Sequence, residues 1–221
     1  MPGRLRLLLI AAGAGVVVVA LVLSVLVSRG DDPAPPKAPS DAATSSGAPA
    51  EPPGVALGDV DTLTTAVTRD TFCADVAPGA VEAALGGPAS TSTQYADGQR
   101  TSVTGSVRDI AHEFGCTWTT STVTARAWVF APPVTRQSAA GLVRTARRED
   151  GCRPVAGAPA FGSPSIALRC RSGRGVQASY RGLFGDAWVT CALADRRPGG
   201  ADDLAERAEQ WCGAVLAAAG S

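Results

Sequence analysis

The chain has a single histidine, His112, and a single lysine, Lys37, among its 221 residues. One histidine leaves a serine triad one choice of base, and no Gly-x-Ser-x-Gly elbow accompanies it. A zinc centre of three or four ligands has no second imidazole to recruit. No Cys-x-x-Cys pair occurs either, so neither a zinc ribbon nor a thioredoxin-type redox centre is expected. Excess charge is also lacking: the formal net charge is zero, and from Gly58 onward 16 arginines face 16 acids. Nucleic-acid binders usually carry a basic excess, so no nucleic-acid partner is expected. Nucleophile, base and orienting group do not occur together. The expectation is therefore no catalytic, cofactor-binding or metal-binding residue, and no cofactor.

What is abundant lies at the amino-terminal end. Residues 7–27, "LLLIAAGAGVVVVALVLSVLV", carry no charge. At about 1.5 Å per residue a helix of that length matches the roughly 30 Å core of a bilayer. A cleaved signal peptide has a shorter apolar region and a small-residue cleavage site. A long signal peptide is the alternative reading. Arg4 and Arg6 precede the run, and Arg29, Asp31 and Asp32 follow it. The positive-inside rule then leaves residues 1–6 as a cytoplasmic tail and places the remainder outside. Residues 28–58 form a Pro/Ala-rich linker with almost nothing to bury, which suits an extended, semi-rigid stalk. Residues 59–221 are expected to be one extracytoplasmic domain.

All six cysteines, at positions 73, 116, 152, 170, 191 and 212, lie in that domain. Outside a membrane an even count reads as disulfides. Helix signals occur at 77–87, 135–150 and 201–220, with Pro78 and Thr135 at helix starts and Gly86 at a stop. Between them "CTWTT" and "ARAWVFA" read as a hairpin, and "SIALRC", "GVQASYRG" and "DAWVTCAL" as a meander. The polar stretch 87–106 reads as a loop, or as an edge hairpin turning at Asp97–Gly98. "AWV" at 127–129 recurs at 187–189, each time followed by a helix. The expected fold is an α+β two-layer domain, with one antiparallel sheet packed by two or three helices, disulfide-stapled and preceded by the transmembrane helix.

"AHEFGCTW", residues 111–118, gathers the histidine, a glutamate and a cysteine. Were Cys116 to open a strand, four extended residues would separate it from His112 by roughly 13 Å, too far for a nucleophile and its base. The stretch therefore reads as a strand carrying a disulfide. Geometry narrows the pairing. Cys170 and Cys191 flank the middle strand of the meander, about two strand spacings apart, beyond the roughly 7 Å that a bridge spans. Cys191 shares a strand face with residues that the last helix covers, which selects Cys191–Cys212. Cys152 and Cys170 bound one loop, and Cys73–Cys116 remains. Trp128, Phe130 and Trp188 alternate with small residues that face the helices. They are expected on the sheet's other face, as a binding surface or beneath segment 87–110 as core.

The order "FCADVAPGAVEAALG", "EFGCTW", a "GC" after a helix and "WC" in the last helix resembles small secreted and surface-anchored actinobacterial domains of unknown function, many of them lipoproteins. The resemblance spans roughly residues 70 to 215. The chain departs from the lipoprotein pattern in lacking a lipid-attachment cysteine, and the resemblance implies no catalytic residues. The expected function is a membrane-anchored, non-catalytic binding module of the cell envelope, with an envelope protein or wall component as partner. An extracellular sensor or accessory subunit of a membrane complex is the alternative. A wall-acting enzyme with an unrecognised site is the third.

Overall fold

The computed structural model describes residues 56–104, 107–173, 175–197 and 203–220. The apolar run 7–27, the tail before it and all but the last residues of the linker lie outside them. Among the described residues no helix is long and apolar enough to cross a membrane.

The domain is α+β. Its strands are β1 (Thr91–Tyr95), β2 (Arg100–Thr104), β3 (Val107–Ile110), β4 (Glu113–Thr119), β5 (Val123–Phe130), β6 (Cys152–Pro154), β7 (Ser165–Ser172), β8 (Gly175–Phe184) and β9 (Ala187–Asp195). Its helices are α1 (Pro78–Leu85), α2 (Arg136–Ala146) and α3 (Leu204–Ala219). Seven strands form one antiparallel sheet in the order β1-β4-β5-β9-β8-β7-β6, and β2 pairs with β3 separately.

Local chemistry explains the helix ends. Pro78 opens α1, where its missing N–H costs nothing, and Gly86 closes it in the left-handed region at φ 73°. The Thr135 side chain caps α2 by accepting from the Ser138 N–H at 3.1 Å. In β5, Val123, Ala125, Ala127 and Val129 are buried and alternate with half-buried residues. That period of two aims one face of the strand at a core.

The larger core fills the sheet's first face. α1 and α3 cover Val123, Ala127, Val129, Val189, Cys191 and Leu193 there, with Leu204, Trp211, Val215 and Leu216 supplied by α3. Leu57, at the end of the expected linker, belongs to this core at 1% exposure. The folded part therefore starts before residue 59.

The second face differs from the two-layer expectation. α2 packs there, placing Ala139, Val143 and Ala146 against Ile166, Leu168, Leu183 and Trp188. Helices thus lie on both faces of the sheet. The physical reason is visible in β7, where Ile166, Leu168 and Cys170 alternate with Ala167, Arg169 and Arg171. The bulky side chains point away from α3 and need their own cover. The two "AWV" strands, β5 and β9, are antiparallel neighbours at the sheet centre, with Val129 opposite Val189. Their following helices take opposite faces, so they are not two equivalent units on one side.

Segment 87–110 also differs from expectation. β1 joins the edge of the main sheet against β4, with Tyr95 opposite Gly115. β2 and β3 keep the same register, since five residues further along each strand Arg100 stands opposite Ile110. The two ladders are therefore one long hairpin interrupted at 96–99 and 111–112. Asp97–Gly98 turns the chain within that interruption rather than at a hairpin tip.

Candidate functional site

The three disulfides join Cys73 to Cys116, Cys152 to Cys170 and Cys191 to Cys212, the same pairs that the strand geometry selects. Their Cα separations are 5.7, 3.9 and 5.6 Å. Cys170 and Cys191 point to opposite faces of the meander, since Cys191 packs under α3 and Cys170 under α2.

This disposes of "AHEFGCTW" as a thiol centre. Cys116 is 2% exposed and bonded to Cys73, so no thiolate is available there. His112 lies outside the core with its side chain 79% exposed and Nδ1 3.8 Å from Asp97 Oδ1. Glu113 accepts a hydrogen bond from the Tyr95 hydroxyl at 2.5 Å. A thiol titration of the full-length chain under denaturing conditions is expected to find no free thiol before reduction and six after it. A reactive thiol mapping to Cys116 in the unreduced protein would reopen the stretch as a reaction centre.

Glu149, Cys152 and Cys170 bring three potential ligand atoms within 4.8 Å of one another. Both sulfurs are spent in the Cys152–Cys170 bond. The Glu149 carboxylate is held by the Arg181 guanidinium through two contacts, one of them 2.9 Å from Nη2 to Oε2. In this state the cluster is a staple beside an ion pair.

The three aromatics separate. Trp188 is 3% exposed beneath α2, packed with Leu183 and Ile166. It belongs to the core and not to a surface, and α2 provides the cover that segment 87–110 was expected to supply. Trp128 and Phe130 remain half-buried, nearer the β1 side of the same face.

Around Trp128 the strand register assembles further groups. Tyr95, Gly115, Trp128 and Thr190 stand opposite one another across β1, β4, β5 and β9. A Cβ on Gly115 would lie 2.3 Å from the Tyr95 ring, so the phenol occupies the space over the glycine and would have to shift for any larger residue there. Burial raises the Tyr95 phenol well above its usual value, and the hydrogen bond and charge of Glu113 raise it further. The positive charge of Arg126 acts in the opposite direction. Arg126 itself places Cζ 5.4 Å from the centre of the Trp128 ring, a cation–π contact. The result is a strip of Tyr95, Glu113, Arg126, Trp128 and Phe130, each half-buried. It offers a stacking face, a cation, a carboxylate and a neutral phenol.

Sequence reasoning reached Trp128 and Phe130 but not Tyr95, because "TSTQY" is polar on both faces and carries no strand period. The signal for Arg126 was its alternation with Trp128 and Phe130. Only the register of β4 could link Glu113 to them. No protein-family model matches the chain, and a search of curated proteins finds no similar one.

Proposed function

We propose that the chain is a single-pass, membrane-anchored binding module of the cell envelope, its amino-terminal end inside and its α+β domain outside. The uncharged run 7–27 supports the anchor, and three disulfides support an oxidising compartment. The resemblance to surface-anchored actinobacterial domains agrees with both. The observation that carries the binding role is the half-buried strip of Tyr95, Glu113, Arg126, Trp128 and Phe130 on the sheet's second face. Aromatic rings flanked by one cation and one carboxylate suit a polyhydroxylated wall polymer or a polar protein surface, and fully buried rings would not.

Trp128→Ser tests it. The full-length chain in detergent is expected to co-sediment with purified, insoluble cell-wall fragments, and Trp128→Ser to weaken that binding at least ten-fold. The change removes a half-buried ring from one strand, so the unfolding transition should stay cooperative. Equal sedimentation of the two proteins would defeat the assignment of this strip. The earlier candidate Trp188 serves as the contrast, since its replacement by serine opens the α2 core and costs stability first.

A further inference from the structure

The main sheet has two edges, and they are built differently. β6 is three residues long, carries Arg153 and Pro154, and is tied to β7 by the Cys152–Cys170 bond. Shortness, charge and proline are the usual guards against unwanted strand pairing. β1 has none of them. It is five residues long, reads Thr-Ser-Thr-Gln-Tyr, and contains no charge or proline. Its ladder with β4 runs from Thr91 to Tyr95 without a bulge, and Thr91 to Gln94 are exposed. Among the described residues, no hydrogen bond outside that ladder reaches its backbone. Every second residue of such a strand presents an unpaired N–H and C=O outward, so its natural occupant is another extended strand.

We propose that this occupant is β1 of a second copy of the chain, antiparallel about a two-fold axis through Thr93. A strand that meets its own copy must not repel itself, since like charges directly opposite are destabilising. Centring on Thr93 pairs all five residues. Thr93 meets the partner's Thr93, Ser92 meets the partner's Gln94, and Thr91 meets the partner's Tyr95. These are hydroxyl–hydroxyl and hydroxyl–amide pairs, with the Tyr95 ring turned inward over Gly115, and no charge stands among them. Beyond the strand, Ser90 would face the partner's Ala96, again without charge. A shallow groove beside β1, lined by Cys73, Ser92, Thr93, Gln94 and Trp118, seats the partner's Gln94 side chain. Five residues bury far less than the roughly 1,200 Å² of a stable complex. The pairing is therefore weak and concentration-dependent, as suits copies held at high local density.

Register-specific crosslinking of the full-length chain, reconstituted at high density in lipid vesicles, tests this. Thr93→Cys is expected to form a disulfide-linked dimer at least ten-fold faster than Thr145→Cys, an exposed position on α2, which packs on β7 and β8 at the far end of the sheet from β1. Ser92→Cys and Gln94→Cys are each expected to stay monomeric alone and to crosslink when mixed. Adding Thr93→Lys to both should abolish that crosslink. A peptide map showing the three native disulfides intact establishes that each variant is folded. The proposal is overturned if Thr93→Cys dimerises no faster than Thr145→Cys, or if Ser92→Cys crosslinks as readily alone as in the mixture. It is overturned as well if Thr93→Cys in native membranes links to a different protein and not to its own copy.

Discussion

Replacing Trp211 by alanine is expected to lower the unfolding free energy by about 3–5 kcal/mol. Trp211 is 1% exposed at the middle of α3. Its ring meets Trp118 of β4 edge-on, with centroids 5.3 Å apart and planes at 79°. Its Nε1 donates to the Arg126 carbonyl oxygen of β5 at 3.2 Å. One side chain thus ties the last helix to two strands by packing and by a hydrogen bond. Alanine leaves a cavity and removes the indole hydrogen bond to the Arg126 carbonyl together. Phenylalanine restores most of the volume but not the donor, and should recover all but about 1–2 kcal/mol. Denaturant unfolding of both variants measures this. A total stability of about 5–15 kcal/mol is usual for a domain, so Trp211→Ala should sit near the edge of folding. A loss under about 1 kcal/mol would mean that α3 is held without Trp211.

The second large effect is expected at Asp195. Its side chain is fully shielded from solvent, between Arg197 at 2.5 Å and Arg207 at 3.6 Å. The hydrogen bonds from Arg197 hold its carboxyl below the usual value of 3.8, against the opposing effect of burial. The folded state therefore binds the proton more weakly than the unfolded chain does. The stability this contributes is present above pH 3.8 and is lost as pH falls through the lower, folded value. Asp195→Asn should flatten that acid limb while lowering stability at neutral pH. Asp195→Ala removes the shielded carboxylate, but Arg197 is half-exposed and can turn to water, so the expected cost is about 1–3 kcal/mol. Thermal unfolding between pH 2 and 7 distinguishes these outcomes. An acid limb unchanged in Asp195→Asn would assign the loss of stability to other carboxylates.

The sheet centre was legible in the sequence because its strands obey a simple rule. β5 and β9 alternate small or branched residues with polar or aromatic ones, and tight turns at Gly173 and Gly185, both with positive φ, mark off the β7–β8–β9 meander. The helices announced themselves through Pro78, Thr135 and the apolar stripe of Leu204, Ala208, Trp211 and Val215. The helix of α2 could be read, but not its side of the sheet. Ala139, Val143 and Ala146 fit either face, and only the bulky set Ile166, Leu168, Leu183 and Trp188 shows that the second face needs cover. β1 was legible only as one arm of an edge hairpin, offered beside a loop, with its turn at Asp97–Gly98. Threonine, serine and glutamine on both faces give no alternation, so the pairing with β4 was not encoded locally. The candidate site inherited that gap, since Tyr95 reaches Trp128 through two registers that no local pattern encodes.

The two ends of the folded part meet. Thr68 N–H donates to the Ala219 carbonyl oxygen at 3.0 Å, and Val67 bridges Gly220. Leu57, ten residues upstream of Val67, is buried among residues of α3 and its neighbours. A mechanical load that enters at the amino-terminal end first draws Leu57 from its socket and then opens the Val67–Gly220 bridge. These contacts are non-covalent, as are the Thr62 hydrogen bond to the Ala160 carbonyl and the Arg69–Asp186 ion pair in the same segment. The next anchor is Cys73, bonded across to β4 through Cys116. Peeling can therefore proceed no further than Phe72 before a covalent bond carries the force into the middle of the sheet. A load applied on the amino-terminal side of Leu57 lengthens the chain by one short, fixed step and leaves the sheet that bears the Trp128 strip closed behind it.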